Sequence, residues 1–100
     1  MTHIKLTFEA NANYATLFRP YREGDRREVA INTGHRFYEC VYKNASPEIK
    51  TAYEILFLTW GDMELRCKGD ALICCTKDRE CMGERLHHAL CYIESEREKE

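Results

Sequence analysis

A chain of 100 residues with 44% hydrophobic and 11% aromatic side chains holds enough apolar material for one domain with a core, which excludes an intrinsically disordered chain. The formal net charge of −2 divides into +2 over residues 1–50 (eight Lys/Arg against six Asp/Glu) and −4 over residues 51–100 (seven against eleven). Neither value demands a nucleic acid or membrane partner.

Met1 to Lys5 show no basic segment followed by an apolar run, and no apolar stretch approaches the roughly 20 residues of a membrane span. The expected compartment is therefore the reducing cytoplasm, where six cysteines are thiols or ligands rather than disulfides.

Residues 3–9 alternate, with Ile4, Leu6 and Phe8 on one face and His3, Lys5, Thr7 and Glu9 on the other, the period of a half-buried strand. After a break at Asn11 and Asn13, Tyr14 to Tyr21 reads as a second strand, with Pro20 placing it at an edge. Glu23-Gly24-Asp25-Arg26 is a turn, and Arg27 to Asn32 reads as a third strand. Beyond Gly34, residues 35–43 alternate as a fourth, with Phe37, Glu39 and Val41 against Tyr38, Cys40 and Tyr42.

Ser46-Pro47-Glu48 is a helix start: Ser46 can cap, Pro47 suits the first position, and Glu48 complements the positive end of the dipole. Ile49, Ala52, Tyr53, Leu56, Phe57 and Trp60 follow helical spacing toward a stop at Gly61. Ile55–Trp60 is also dense enough to read as a strand, so the helix is expected at least to Leu56. Met63, Leu65 and Cys67 alternate with Glu64, Arg66 and Lys68, and a Gly69-Asp70 turn would pair them with residues 71–76 as a hairpin. A last helix is expected from an Asp78 cap to about Glu96. The expected fold is α+β: one domain over residues 1–100, with an antiparallel sheet of about four to six strands and two helices packed on it.

The chemistry-bearing residues gather late, with Cys67, Cys74, Cys75, Cys81, His87, His88 and Cys91 all within 25 residues. At 100° per residue Met82, Leu86, Ala89, Leu90 and Ile93 form an apolar stripe suited to the sheet. Cys81, Glu84, His88, Cys91 and Ser95 then fall on the outer side. Two thiols and an imidazole there suit a second buried face or a contact surface for a partner or a second copy. An alternative is a zinc site drawn from Cys74, Cys75, Cys81, His87, His88 and Cys91, in a small domain that contacts nucleic acid. Cys81 and Cys91 lie about 15 Å apart along the helix axis, however, and no Cys-x-x-Cys is present. A thiol enzyme with His88 as base finds no recognisable oxyanion hole or orienting residue.

Arg19, Tyr21, Arg22, Arg26, Arg27 and Arg36 concentrate in the N-terminal strands. Glu23, Asp25 and Glu28 are interleaved, leaving residues 19–28 at only +1. That pattern suits protein contact better than a phosphate backbone. Together with Cys81, Glu84, His88 and Cys91 these residues form the expected interface. In size the chain is similar to small phage-encoded proteins that bind and inhibit a host or defence complex, a resemblance of kind carried by no particular residue. The expected function is a non-enzymatic, cofactor-free module that binds another protein or its own copy.

Overall fold

The computed structural model describes residues 4–99, so His3 of the expected first strand lies outside the described residues. Three strands come first: β1 (Ile4–Glu9), β2 (Phe18–Glu23) and β3 (Arg26–Asn32). A π-helical turn (Tyr38–Tyr42) and two helices follow, α1 (Pro47–Arg66) and α2 (Gly69–Glu98). The sheet has the order β1-β3-β2, with β1 parallel to β3 and β2 antiparallel to it.

The expectation of an antiparallel sheet of four to six strands is therefore corrected to a mixed sheet of three. Two segments account for the difference. Residues 38–42 are helical, closed by Lys43 N–H on Tyr38 O at 2.8 Å. The alternation there concealed pairs four apart: Tyr38 and Tyr42 meet at 5.7 Å between ring centroids, and Phe8 of β1 packs on both. Residues 63–76, expected as a hairpin, are instead the last turn of α1, a tight reversal through Gly69 (φ +58°) and the first turns of α2. The last helix thus begins nine residues before the expected Asp78 cap.

Other local readings hold. The Gly24-Asp25 turn joins β2 and β3, where Glu23 pairs with Arg26. Ser46 caps α1 by accepting Ile49 N–H at 3.3 Å, with Pro47 behind it. Gly61, however, does not end α1. It sits buried inside the helix, where an added Cβ would stand 2.4 Å from Val29 Cγ2. This glycine lets α1 lie close on the sheet.

The registers place Ile4, Leu6, Phe8, Phe18, Pro20, Val29 and Ile31 on the helix-facing side of the sheet. Phe57 of α1 stacks on Phe18 at 4.9 Å and meets Phe37 edge-on at 5.6 Å, while Trp60 closes on Phe18 at 5.4 Å. These rings make the centre of the core. The opposite face of the sheet is polar. Arg19 reaches across Ala30 to grip Glu9 with two hydrogen bonds of 2.8 Å, and Tyr21 Oη meets Thr7 Oγ1 at 3.3 Å.

Asn32 organises the segment between β1 and β2. Its Oδ1 accepts Asn11 N–H (2.9 Å) and Gly34 N–H (2.8 Å), while its Nδ2 donates to Asn11 O (2.9 Å) and Thr16 O (2.7 Å). All four bonding capacities of a buried amide are thus used. The resulting loop, rather than the sheet, is what α2 crosses: a Cβ at Gly83 would stand 2.4 Å from Ala15 O.

Candidate functional site

The buried line of α2 is Arg79, Gly83 and His87, not the apolar stripe expected to dock. Met82, Leu86 and Leu90 flank it half-buried, while Ala89 and Ile93 are exposed. The reason is the surface beneath, which is backbone of the loop before β2 and rewards small and hydrogen-bonding side chains. Arg79 donates to Glu64 Oε1 at 2.8 Å and to Phe18 O at 2.9 Å, with both charged side chains under 10% exposed. This ion pair ties α2 to α1 and to β2. It was invisible to sequence reasoning, although Glu64 continues the buried Phe57–Gly61 row at i+3.

Beyond Gly83 lies an imidazole pair. His35 is fully buried, with Nε2 donating to Gly83 O at 2.8 Å and Nδ1 accepting Phe37 N–H at 2.9 Å, which sets its neutral tautomer. Burial pushes its pKa down, against the support of the Gly83 carbonyl. His87 stacks on Tyr14 at 4.0 Å and stands edge-on to His35 at 5.5 Å. Burial lowers the His87 pKa as well, followed by the charges of His88 and Arg36, and its Nδ1 has no hydrogen-bond partner. Cys91 Sγ lies 3.7 Å from His87 Nε2, so the Cys–His contact of α2 uses His87 rather than His88.

The remaining expected site residues disperse. Cys81, Glu84 and His88 are exposed on the outer side of α2, with His88 Nε2 3.9 Å from Glu84 and Arg85 Nε donating to Cys81 Sγ at 3.3 Å. Cys74 is exposed, and Cys75 faces Cys67 across the helix reversal, Sγ to Sγ 3.5 Å. The Cys67 contact raises the Cys75 pKa, followed by burial and the nearby carboxylates of Glu64 and Asp78. The six residues of the zinc reading thus occupy separate stretches of α2, and among the described residues no group of three or more His, Cys, Asp or Glu could hold a metal ion. No helix among the described residues is long and apolar enough to cross a membrane.

The arginines likewise do not form one surface. Arg19 is engaged by Glu9, and that hydrogen bond holds the Glu9 carboxyl below its usual range. Arg19 also covers the Tyr21 ring at 4.3 Å. Arg22 donates to Leu65 O at 2.9 Å on the helix side, and Arg27 is buried against Asp62 at 3.0 Å. Arg26 is exposed beside the turn. Arg36 pairs with Glu94, which also accepts the Cys40 thiol. Burial first, then the Glu94 carboxylate, pushes the Cys40 thiol up.

The conspicuous open surface lies elsewhere. Between α1 and α2 runs a cleft of about 330 Å³, with Tyr53, Leu56 and Trp60 on one wall and Met82 and Leu86 on the other. A second hollow of about 270 Å³ adjoins it along Leu56, Thr59, Trp60 and Met63. On the same side of α1, Ile49, Leu56 and Met63 recur every seven residues and are 48%, 51% and 63% exposed. Ala52 and Thr59, also exposed, fill the intervening positions. This a/d spacing is of the kind that lines one face of a paired helix, and its five residues are exposed. Sequence reasoning placed Ile49, Ala52 and Leu56 on helical spacing and Met63 on a strand, although the seven-residue spacing was there to read. Comparison with family models, curated proteins and solved structures finds no match to this chain.

Proposed function

We propose that this chain is a non-enzymatic protein-binding module whose working surface is the apolar seam of α1, and that the occupant of that seam is α1 of a second copy. The observation that carries the reading is the exposed, uncharged row Ile49, Ala52, Leu56, Thr59 and Met63 beside the α1–α2 cleft. An apolar row at this spacing is complementary to another such helix, and α1 itself supplies one. Charge complementarity supports an antiparallel direction. Glu48 stands at the start of this face and Arg66, paired in the chain to Asp62, at its end. Two copies running antiparallel about a two-fold axis at Leu56 bring opposite charges together at both ends.

Two observations favour binding over catalysis. His35 and His87, the imidazoles held by defined contacts, are turned inward and engaged with Gly83 O and the Tyr14 ring. The cleft walls, by contrast, are apolar. Sedimentation velocity of the purified chain tests the proposal. Wild type is expected to sediment as a dimer, and Leu56→Glu and Met63→Glu as monomers with unchanged helical circular dichroism. A wild-type monomer up to millimolar concentration overturns it. So does a dimer that survives both folded variants, which would place any association on another face.

A further inference from the structure

The reversal between α1 and α2 brings two thiols together. Cys67 caps the C-terminal end of α1, its N–H on Glu64 O at 3.1 Å and its Sγ on Met63 O at 3.3 Å. Cys75 lies in the second turn of α2, and its Sγ stands 3.5 Å from that of Cys67. The other cysteines are engaged or isolated: Cys40 with Glu94, Cys81 with Arg85, Cys91 with His87, and Cys74 exposed. Among the described residues this is the one recorded thiol–thiol contact.

We propose that Cys67 and Cys75 form a reversible disulfide site that takes small disulfides of the glutathione class as its oxidant. A disulfide needs its sulfurs at about 2.05 Å, so closure asks for an approach of about 1.5 Å, within reach of side-chain rotation on two helix ends. Both residues are half-buried, accessible to a small molecule yet held in place. Cys74 does not substitute for Cys75. One residue earlier on α2 it points about 100° away, and a Cys74–Cys75 bond would break the helix.

The exchange balances in two steps. One protein thiolate, its proton lost to solvent, attacks a sulfur of the small disulfide. This forms a mixed disulfide and expels one small thiolate, which takes up a proton. The second protein thiolate then attacks the protein sulfur of the mixed disulfide and expels the other small thiolate. The protein loses two electrons and two protons, and the small disulfide becomes two thiols. The product joins the end of α1 to the second turn of α2, next to residues 70–74, which are all exposed.

The test is thiol counting by mass spectrometry after treatment of the full chain with oxidised glutathione. Of the six thiols, reduced protein alkylates at all six and oxidised protein at four, since two are consumed. Trypsin should release Cys67-Lys68 joined to the peptide of residues 69–77. Cys67→Ser and Cys75→Ser have five thiols, and each should stop after oxidation at a glutathione adduct on the remaining member of the pair, leaving four to alkylate, while Cys74→Ser should alkylate at five positions before oxidation and three after. Dithiothreitol should restore the full count. Six free thiols in treated wild type, a stable glutathione adduct on Cys67 or Cys75 of wild type, or an internal disulfide that survives Cys75→Ser would each overturn the proposal.

Discussion

Replacing Arg79 by methionine tests the joint on which the two helices depend. The substitution keeps most of the side-chain volume and removes a guanidinium that donates to Glu64 at 2.8 Å and to Phe18 O at 2.9 Å. The carboxylate left behind is 5% exposed, and breaking a buried pair in this way costs about 3–5 kcal/mol. The orphaned Phe18 carbonyl adds about 1–3 kcal/mol. Together these make a loss of at least about 4 kcal/mol the expected result. A chain of this size has about 5–15 kcal/mol in total, and Arg79→Met should stand near the edge of folding. Replacing Glu64 by methionine as well removes the unpaired charge and leaves only the carbonyl, so the double variant should regain about 2–3 kcal/mol over Arg79→Met. Urea unfolding followed by circular dichroism measures all three proteins. A single-variant loss below about 1 kcal/mol, or a double variant no more stable than Arg79→Met, would refute the assignment of this pair as the helix joint.

Gly83→Ala should destabilise the fold although alanine gains about 1 kcal/mol in a helix, because its Cβ would stand 2.4 Å from the backbone oxygen of Ala15; a raised melting temperature contradicts the close approach of α2. Stability should also fall on acidification. The folded pKa values of His35 and His87 are depressed by burial, so above about pH 6.5 both states hold neutral imidazole, and below it the unfolded chain binds protons that the folded chain refuses. The slope should approach, at most, about 1.4 kcal/mol per pH unit for each histidine until the folded imidazole itself protonates. His87→Phe keeps a ring on Tyr14 and should remove the His87 share of that slope, read from urea midpoints between pH 5 and pH 7, taken as roughly the histidine range; an unchanged slope would exclude His87 from it.

Where a residue's structural role was local, the sequence carried it. The Ser46-Pro47 start of α1, the Gly24-Asp25 turn and the alternation of β1 and β3 each depend on neighbours in the chain. The errors arose where two periods fit one short run. Phe37, Tyr38, Val41 and Tyr42 satisfy both alternation and i+4 spacing, and apolar residues on both faces of the supposed strand were the sign of a helix. Met63, Leu65 and Cys67 looked like a strand because the reading stopped α1 at Gly61, whose role is contact with Val29 rather than termination. The parallel pairing of β1 was not legible, since it depends on the path of residues 10–17 under the Asn32 clamp. The same holds for the working surface. Cys81 and His88 drew attention as chemically rich, but the structure leaves them at the solvent side of α2, while the exposed row on α1 consists of side chains that composition alone assigns to a core.

The central position of β3 sets how the sheet comes apart. β3 holds a hydrogen-bonded ladder on each side, whereas β1 and β2 hold one each. Peeling β1 away breaks a single parallel ladder and uncovers the half-buried Ile4 and Leu6, leaving the β2–β3 hairpin seated on α1. Amide exchange should therefore be graded, with β1 opening on its own and β3 protected until the whole chain unfolds. The opened form offers β3 as a bare edge to any passing strand. On the far side of the sheet Pro20 withholds a backbone donor and discourages such pairing. Strand exchange between chains, and the aggregation that follows from it, should accordingly enter through the side that β1 vacates.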